Sequence, residues 1–347
     1  MFAGQPDEAL LWEPLAAGRE GLVQCRLCRH ACVIRPGARG QCGVRENRSG
    51  RLVSLVRGLP AAISVDPVEK KPLYHFLPGT ATFSFGTQGC NLACAFCQNA
   101  DLSQPPRLGQ TPHGRPFSPQ TLADAAVDCG ARSISYTYSE PTVFFELAQD
   151  VGRLALARGL KNILVTNGFM SLECLEACGP AQGGLIQAAN VDVKAFTEDF
   201  YRERCGARLA PVLENLRRMR ALGWWIEVTT LVIPGLNDSG AELAELAGFI
   251  AADLGAHTPW HISRFHPCHR MLDRPPTPLE ALLAAREAGR GAGLKHVYIG
   301  NAAGPGFGDT LCPSCGGVVL RREGFRAAGA LDGRCPSCGG PVAGVWA

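Results

Sequence analysis

The chain has 347 residues, 46% of them hydrophobic and 19% charged, with a formal net charge of +3. That length supports one large core with small satellites, and the composition is that of an ordinary globular protein. So small a basic excess makes no case for a nucleic-acid partner, and no run approaches the ~20 apolar residues that span a bilayer. Met1 to Leu15 carries acids and lacks a basic stretch followed by an apolar one, so no targeting segment is expected. Sixteen cysteines would suggest disulfides in a small secreted protein. Here most of them fall in three metal-ligand clusters of a large chain, which predicts a reducing cytoplasm. Cys129, Cys174, Cys178, Cys205 and Cys268 are scattered, and read as buried or surface thiols.

Residues 1–57 form a first module, with Cys25, Cys28, Cys32 and Cys42 at C-x2-C-x3-C-x9-C spacing among Gly and Arg. The spacing fits no clean zinc template, so metal binding is expected, with zinc and iron–sulfur both open. Residues 58–79 read as a connector. From 80 to 303 short β-branched or aromatic runs alternate with helical patterns. Strands are predicted at Ala81–Phe85, Arg132–Tyr138, Asn162–Val165, Ala189–Val193, Ile226–Ile233, Trp260–Phe265 and His296–Ile299. Helices are predicted at Thr142–Arg158, Pro211–Leu222, Ala241–Leu254 and Pro278–Ala288. The fold class is α/β, a partial (β/α) TIM-type barrel of six to seven units, with a doubly wound open sheet as the alternative. Residues 304–347 form a C-terminal zinc-ribbon-like module. In it Cys312-x2-Cys315 and Cys335-x2-Cys338 repeat the phrase Cys-Pro-Ser-Cys-Gly-Gly. Such a set suits one tetrahedral zinc in a structural role; an auxiliary [4Fe–4S] cluster is the rival.

Ligand sites in parallel α/β folds lie at the carboxyl ends of strands, and the polar motifs fall there. Cys90, Cys94 and Cys97 follow the first strand at C-x3-C-x2-C spacing. Three thiolates can hold three irons of a [4Fe–4S] cube and leave the fourth iron open for chemistry; a zinc knuckle is the plainer alternative. Glu140 follows the second strand, where an acid can equally serve a helix start. Thr166 and Asn167 close the third strand, as ligand contacts or as a turn. Asp192 and Lys194 close the fourth. Two apart, they point to one side, as ligand groups or as an ion pair.

The phrases Gly86-Thr87-Gln88-Gly89-Cys90-Asn91, Cys94-Ala95-Phe96-Cys97-Gln98-Asn99, Tyr138-Ser139-Glu140-Pro141-Thr142 and His261-Ile262-Ser263-Arg264-Phe265-His266-Pro267 resemble radical S-adenosylmethionine (SAM) enzymes of the branch related to pyruvate formate-lyase activating enzyme. The two cysteine-rich ends are similar to those of the radical SAM member of the AmmeMemoRadiSam system. That resemblance implies the barrel, a [4Fe–4S] cluster on Cys90, Cys94 and Cys97, and SAM chelating the open iron. It implies reductive cleavage of SAM to methionine and a 5′-deoxyadenosyl radical, which takes hydrogen from a substrate. It further implies SAM contacts at Glu140, Thr166, Asn167, Asp192, Lys194 and His266. An electron donor such as flavodoxin or ferredoxin follows as a partner, with Memo-like and AMMECR-like companions. Two departures stand out: Tyr138-Ser139 replaces a usual Gly-Gly, and Thr229 stands where activating enzymes often carry arginine. A glycyl-radical-enzyme activase is the alternative within the class, and a zinc-ribbon binding protein with a vestigial barrel the alternative outside it. Lys70 to His75 is expected to cross the barrel's open mouth, and the N-terminal module to cover the substrate side.

Overall fold

All seven predicted strands form, and they lie in one sheet with an eighth. The computed structural model describes residues 7–15 and 21–346. Part of the segment in which no targeting signal was expected, and part of the first module, therefore lie outside the described residues. In chain order the sheet holds β1 (Ala62–Pro67), β2 (Ala81–Gly86), β3 (Ser133–Tyr136), β4 (Lys161–Thr166), β5 (Ala188–Asp192), β6 (Trp225–Val232), β7 (Trp260–Arg264) and β8 (Val297–Gly300). Spatial order equals chain order, with β2 to β8 parallel and β1 antiparallel to β2. A doubly wound sheet reverses its strand order at a switch point, and none occurs here. Among the described residues no helix is long and apolar enough to cross a membrane.

Five longer helices accompany the sheet: α1 (Pro119–Asp128), α2 (Phe145–Ala157), α3 (Ala210–Ala221), α4 (Gly240–Phe249) and α5 (Leu279–Gly291). Local chemistry sets their starts. Ser118 caps α1 by accepting from Thr121 N, and Ser239 caps α4 by accepting from Glu242 N. The helix predicted from Thr142 begins as a 3-10 turn, Pro141–Phe144, and the one predicted to Leu254 ends as a π turn, Ile250–Leu254. One face of the sheet is apolar: Ile134, Val191, Val228 and Ile262 join the main core. Its other face carries Thr82, Ser135, Asn190, Glu227, Thr229 and His261, which bond among themselves or to the connector. Closed parallel barrels usually fill that side with Val, Ile and Leu. Here it is polar.

The connector corrects one expectation. Residues 68–77 cross the amino-terminal end of the sheet, opposite the cysteine loop. Tyr74 N and His75 N donate to the Glu227 carboxylate at 2.9 and 2.7 Å. Val68, Leu73, Phe76 and Leu77 pack against Ile163, Ala188 and Trp225, low on their strands. The C-terminal module closes the same end. Leu77 N donates to Val345 O and Val345 N to His75 O, both at 2.7 Å. Arg322 sets its guanidinium 4.2 Å from the Tyr74 ring and donates to Tyr74 O.

The N-terminal module sits at the other end. Arg45 (1% exposed) pairs with Glu146 of α2 at 2.8 Å, and Leu10 N donates to the same carboxylate. Removing one partner of a buried pair leaves an uncompensated charge. Glu146→Ala should therefore lower stability by about 3–5 kcal/mol. A fallen urea midpoint with an unchanged slope would register that loss.

Candidate functional site

The rim at the carboxyl ends of β2 to β7 gathers nearly every polar residue singled out above. The cysteine loop leaves β2 through Gly89, whose φ is 102° and whose added Cβ would meet Val44 Cγ1 at 2.5 Å. Only glycine fits there, and the N-terminal module is what it fits against. Each of the three sulfurs has a donor. Leu92 N reaches Cys90 Sγ at 3.4 Å, Asn167 Nδ2 reaches it at 3.7 Å, and the Ser103 hydroxyl lies 3.2 Å from Cys97 Sγ. The Cys205 thiol bonds to Cys94 and so lowers its pKa, with burial opposing; burial raises Cys90. A donor on every sulfur suits thiolates bound to a cationic cluster. The three residues fit the group.

Two of the scattered cysteines belong to this site. Cys205 ends the π turn Tyr201–Cys205, and its carbonyl accepts from Ala93 N at 2.8 Å. Cys268 donates to Phe96 O at 3.2 Å, and Arg270 N donates to Ala95 O at 3.0 Å. Phe96 packs against Phe200, ring centroids 5.6 Å apart. No spacing in the sequence relates Cys205 or Cys268 to the loop, because separate strand–helix units bring them there.

Glu140 is buried (3% exposed) and accepts four hydrogen bonds. Oε1 takes Thr142 N at 3.0 Å, Thr142 Oγ1 at 2.6 Å and Thr166 Oγ1 at 2.7 Å; Oε2 takes Asn167 N at 2.8 Å. Burial raises its pKa, and those donors oppose the rise. The carboxylate is thus a helix-start acid, and it also ties the ends of β3 and β4 together. Through that tie it orients Asn167, whose amide donates to Asn91 Oδ1 at 2.8 Å as well as reaching Cys90. Asp192 and Lys194 do share a side, as a 2.7 Å ion pair. Burial opposes the Lys194 charge, but Asp192 and then Cys94 outweigh it and raise the pKa. Thr229 donates to Asn190 Oδ1 at 2.9 Å, so it is engaged within the sheet. His266 is exposed on the loop that follows β7, two residues before Cys268. His261 lies deep, bonded to Glu227 at 2.6 Å.

Tyr138 adopts a φ of 69°, a left-handed conformation that favours glycine. The glycine that the resemblance led one to expect here would adopt it without strain. The ring descends along the polar face, its hydroxyl donating to Asp66 Oδ2 at 2.7 Å, with Lys71 Nζ 4.6 Å from its centroid. Burial opposes the Asp66 charge, yet Lys70, Lys71 and Tyr138 hold its pKa well below the usual carboxylate range. Asp66 and Lys71 were missed in the sequence because they sit in the connector.

A second set of thiols lies in the C-terminal module, where the sulfurs of Cys312, Cys315, Cys335 and Cys338 all come within 4.8 Å of one another. The duplicated phrase gives duplicated geometry. Cys312 N donates to Gly317 O at 2.8 Å, and Cys335 N to Gly340 O at 2.9 Å. Backbone N–H groups of Cys315 and Ser314 hold the Cys312 thiol down to about 6. Such a thiol is ready to ligate a metal, as part of a closed four-sulfur set.

The radical SAM superfamily model matches residues 85–247. The chain is 40% identical over 320 residues to the uncharacterized protein MJ0808 of Methanocaldococcus jannaschii, covering 92% of each. It is 26% identical over 276 residues to a GTP 3′,8-cyclase of Pelotomaculum thermopropionicum, covering 74% of this chain and 82% of that one. Among solved structures, a domain of the pyruvate-formate lyase-activating enzyme of Bacteroides vulgatus aligns with a TM-score of 0.36 and 17% identity. It covers 46% of this chain and 91% of that one.

Proposed function

The chain belongs to the radical SAM superfamily, in one family with the M. jannaschii protein, and from that premise we propose that it cleaves SAM reductively to act on a substrate by hydrogen abstraction. When bound, a [4Fe–4S] cluster and SAM supply a 5′-deoxyadenosyl radical and methionine. The observation that carries this reading is the meeting of the cysteine loop with Glu140, Asn167 and the Asp192–Lys194 pair on one rim.

In this reading Cys90, Cys94 and Cys97 hold the cluster, and the Phe96–Phe200 contact keeps water from its apolar flank. Glu140 and Asn167 set the amino-acid end of SAM, Thr166 locking the carboxylate from below. Asp192 and Lys194 offer paired charges to its ribose and carboxylate, and His266 lies on the loop positioned to reach the adenosine. The architecture is a partial barrel. Its polar interior, with Tyr138 and Lys71, lines the space beneath the cysteine loop. Reductive cleavage consumes one electron, so a one-electron donor of the flavodoxin or ferredoxin class is a partner; Memo-like and AMMECR-like companions belong to the same proposal.

We assign the C-terminal thiols to zinc. Tetrahedral Zn–S bonds of about 2.3 Å require sulfurs about 3.8 Å apart. The Cys312–Cys338 and Cys315–Cys335 pairs lie at 3.7 and 3.6 Å.

Anaerobically reconstituted protein incubated with SAM and dithionite should release 5′-deoxyadenosine and methionine; no release would reject the reading. Glu140→Ala should keep the cluster yet bind SAM about tenfold to over a hundredfold more weakly, the cost of losing a charged hydrogen bond. Titration calorimetry measures this, and an unchanged affinity would confine Glu140 to tying β3 to β4.

A further inference from the structure

The N-terminal thiols lie outside the segment matched by the superfamily model, residues 85–247, and no step above uses them. Cys25 and Cys32 meet across a hairpin of Val23–Cys25 and Val33–Ile34, Cys25 N donating to Cys32 O at 2.9 Å. Cys28 stands in the turn of that hairpin, its carbonyl accepting from Ala31 N at 3.1 Å, and the Cβ position of Gly40, two residues before Cys42, lies 3.7 Å from Cys32 Sγ. A buried cation faces them. Arg45 donates through Nη1 to Cys25 Sγ at 3.4 Å, while its buried Nε has no hydrogen-bond partner. A guanidinium so placed suits sulfurs that carry negative charge, as metal-bound thiolates do.

Spacing separates the two metals left open by the sequence. One zinc ion holds its sulfurs at about 2.3 Å, so no two of them can lie more than about 4.6 Å apart. The C-terminal four are gathered within 4.8 Å. Among the described residues, neither the N-terminal four nor the central Cys90, Cys94 and Cys97 are so gathered. The N-terminal set, like the central loop, is therefore spread beyond the shell of one zinc ion.

The module also touches that loop directly. His30, between Cys28 and Cys32, sets Nε2 2.8 Å from the carbonyl oxygen of Asn91, the residue after Cys90. Cys42 O lies 3.2 Å from the Cβ position of Gly89, the residue before Cys90. Gly43 packs its left-handed backbone (φ 74°) so closely on Pro106 that an added Cβ would stand 2.2 Å from the Pro106 carbonyl carbon. The route from Cys28 or Cys32 through His30 and Asn91 to Cys90 crosses a single hydrogen bond.

We propose that Cys25, Cys28, Cys32 and Cys42 hold a second iron–sulfur cluster, through which the electron consumed at the central loop enters. The reduced N-terminal cluster gives up one electron and is oxidised, and the central cluster takes it and is reduced. Reduced flavodoxin, a one-electron donor, then restores the first; no bond is made or broken. The route rests on the radical SAM reading, whereas the second cluster does not.

Metal analysis of the anaerobically reconstituted full chain should find about eight irons and eight sulfides, with one zinc. Cys42→Ser and Cys94→Ser should each keep about four irons, and Cys42→Ser should keep the zinc. In electron paramagnetic resonance the reduced wild type should show two interacting clusters and Cys42→Ser a single one. Reduced flavodoxin should then no longer reduce the central cluster of Cys42→Ser, while dithionite still does. Two zincs with about four irons in the wild type would overturn the second cluster, without recourse to any variant. Flavodoxin reducing the Cys42→Ser central cluster at the wild-type rate would overturn the electron route. Loss of iron in Cys42→Ser but none in Cys94→Ser would support the second cluster and count instead against the superfamily reading of the central loop.

Discussion

Cys94→Ser is expected to abolish SAM cleavage, with 5′-deoxyadenosine falling to background and iron falling by about four per chain. Cys94 is the buried member of the three (8% exposed), at the point where the loop bonds to the π turn through Ala93 N and Ala95 N. A serine hydroxyl does not ionise at neutral pH and is a poor iron ligand beside a thiolate. Its neighbour Cys205 poses a sharper question, since it bonds to the Cys94 sulfur and could be the true third ligand. The Cys205 backbone is pinned by Ala93, and its thiol serves as donor to the loop. Cys205→Ser should therefore keep the iron and most of the cleavage, because a hydroxyl replaces the donor. Iron and sulfide assays with chromatography of the SAM products separate the two variants. Full cleavage by Cys94→Ser, or iron loss confined to Cys205→Ser, would refute the ligand assignment.

How far the sequence was legible depends on where its signals were local. The seven parallel strands were readable because each carries β-branched residues between turn residues, and a strand buried on both faces needs little else. β1 was not readable because its polarity is inverted. Ile63 and Val65 are 40% and 47% exposed, while Asp66 is buried at 5% and faces Lys71 and Tyr138. That inversion, with Pro67 ending the strand, suits a sheet edge, where an inward charge blocks further pairing. α1 was also missed, although Ser118-Pro119 is a plain helix start, because the Pro-rich run before it reads as a long loop.

Site residues followed the same division. The C-x3-C-x2-C loop, the paired knuckles and the Asp192–Lys194 pair are encoded by short spacings, and short spacings survive folding unchanged. Glu140 was located, but its four internal donors come from Thr142 of its own segment, from Thr166 at the end of β4 and from Asn167 just beyond it, a distance of up to 27 residues. The connector was misplaced for a similar reason. Nothing local in Lys71-Pro72-Leu73-Tyr74-His75 says which end of the sheet it crosses; the choice is made by Glu227, buried two residues into β6 and needing donors. A buried carboxylate without partners is expensive, so the connector's amides go to it.

Cys335→Ser is the second variant expected to have a large effect, this time on structure. The C-terminal module buries only a small apolar group of its own, Val319, Leu320 and Val342 with the thiols of Cys312 and Cys335. A domain that small depends on its ion, and structural zinc typically contributes about 10–16 kcal/mol to such folds. Losing one thiolate should release the zinc and unfold residues 310–346. The damage should then spread along the contacts already described. Arg322 leaves Tyr74 O, and Val345 leaves both His75 and Leu77, so the amino-terminal end of the sheet loses its cover. His75 becomes accessible; it is now fully buried between Ala343 O at 2.7 Å and the Tyr298 hydroxyl at 2.6 Å, and burial holds its pKa well below the usual histidine range. Exposure would restore a protonatable imidazole, so unfolding of the module should become easier as pH falls through the ordinary histidine range of about 6.5. Limited proteolysis should cut the variant near residues 304–308 while the central iron stays bound. A protease-resistant, zinc-loaded Cys335→Ser protein would show that three sulfurs suffice, and a protease-resistant, zinc-free one that packing rather than the ion holds the module.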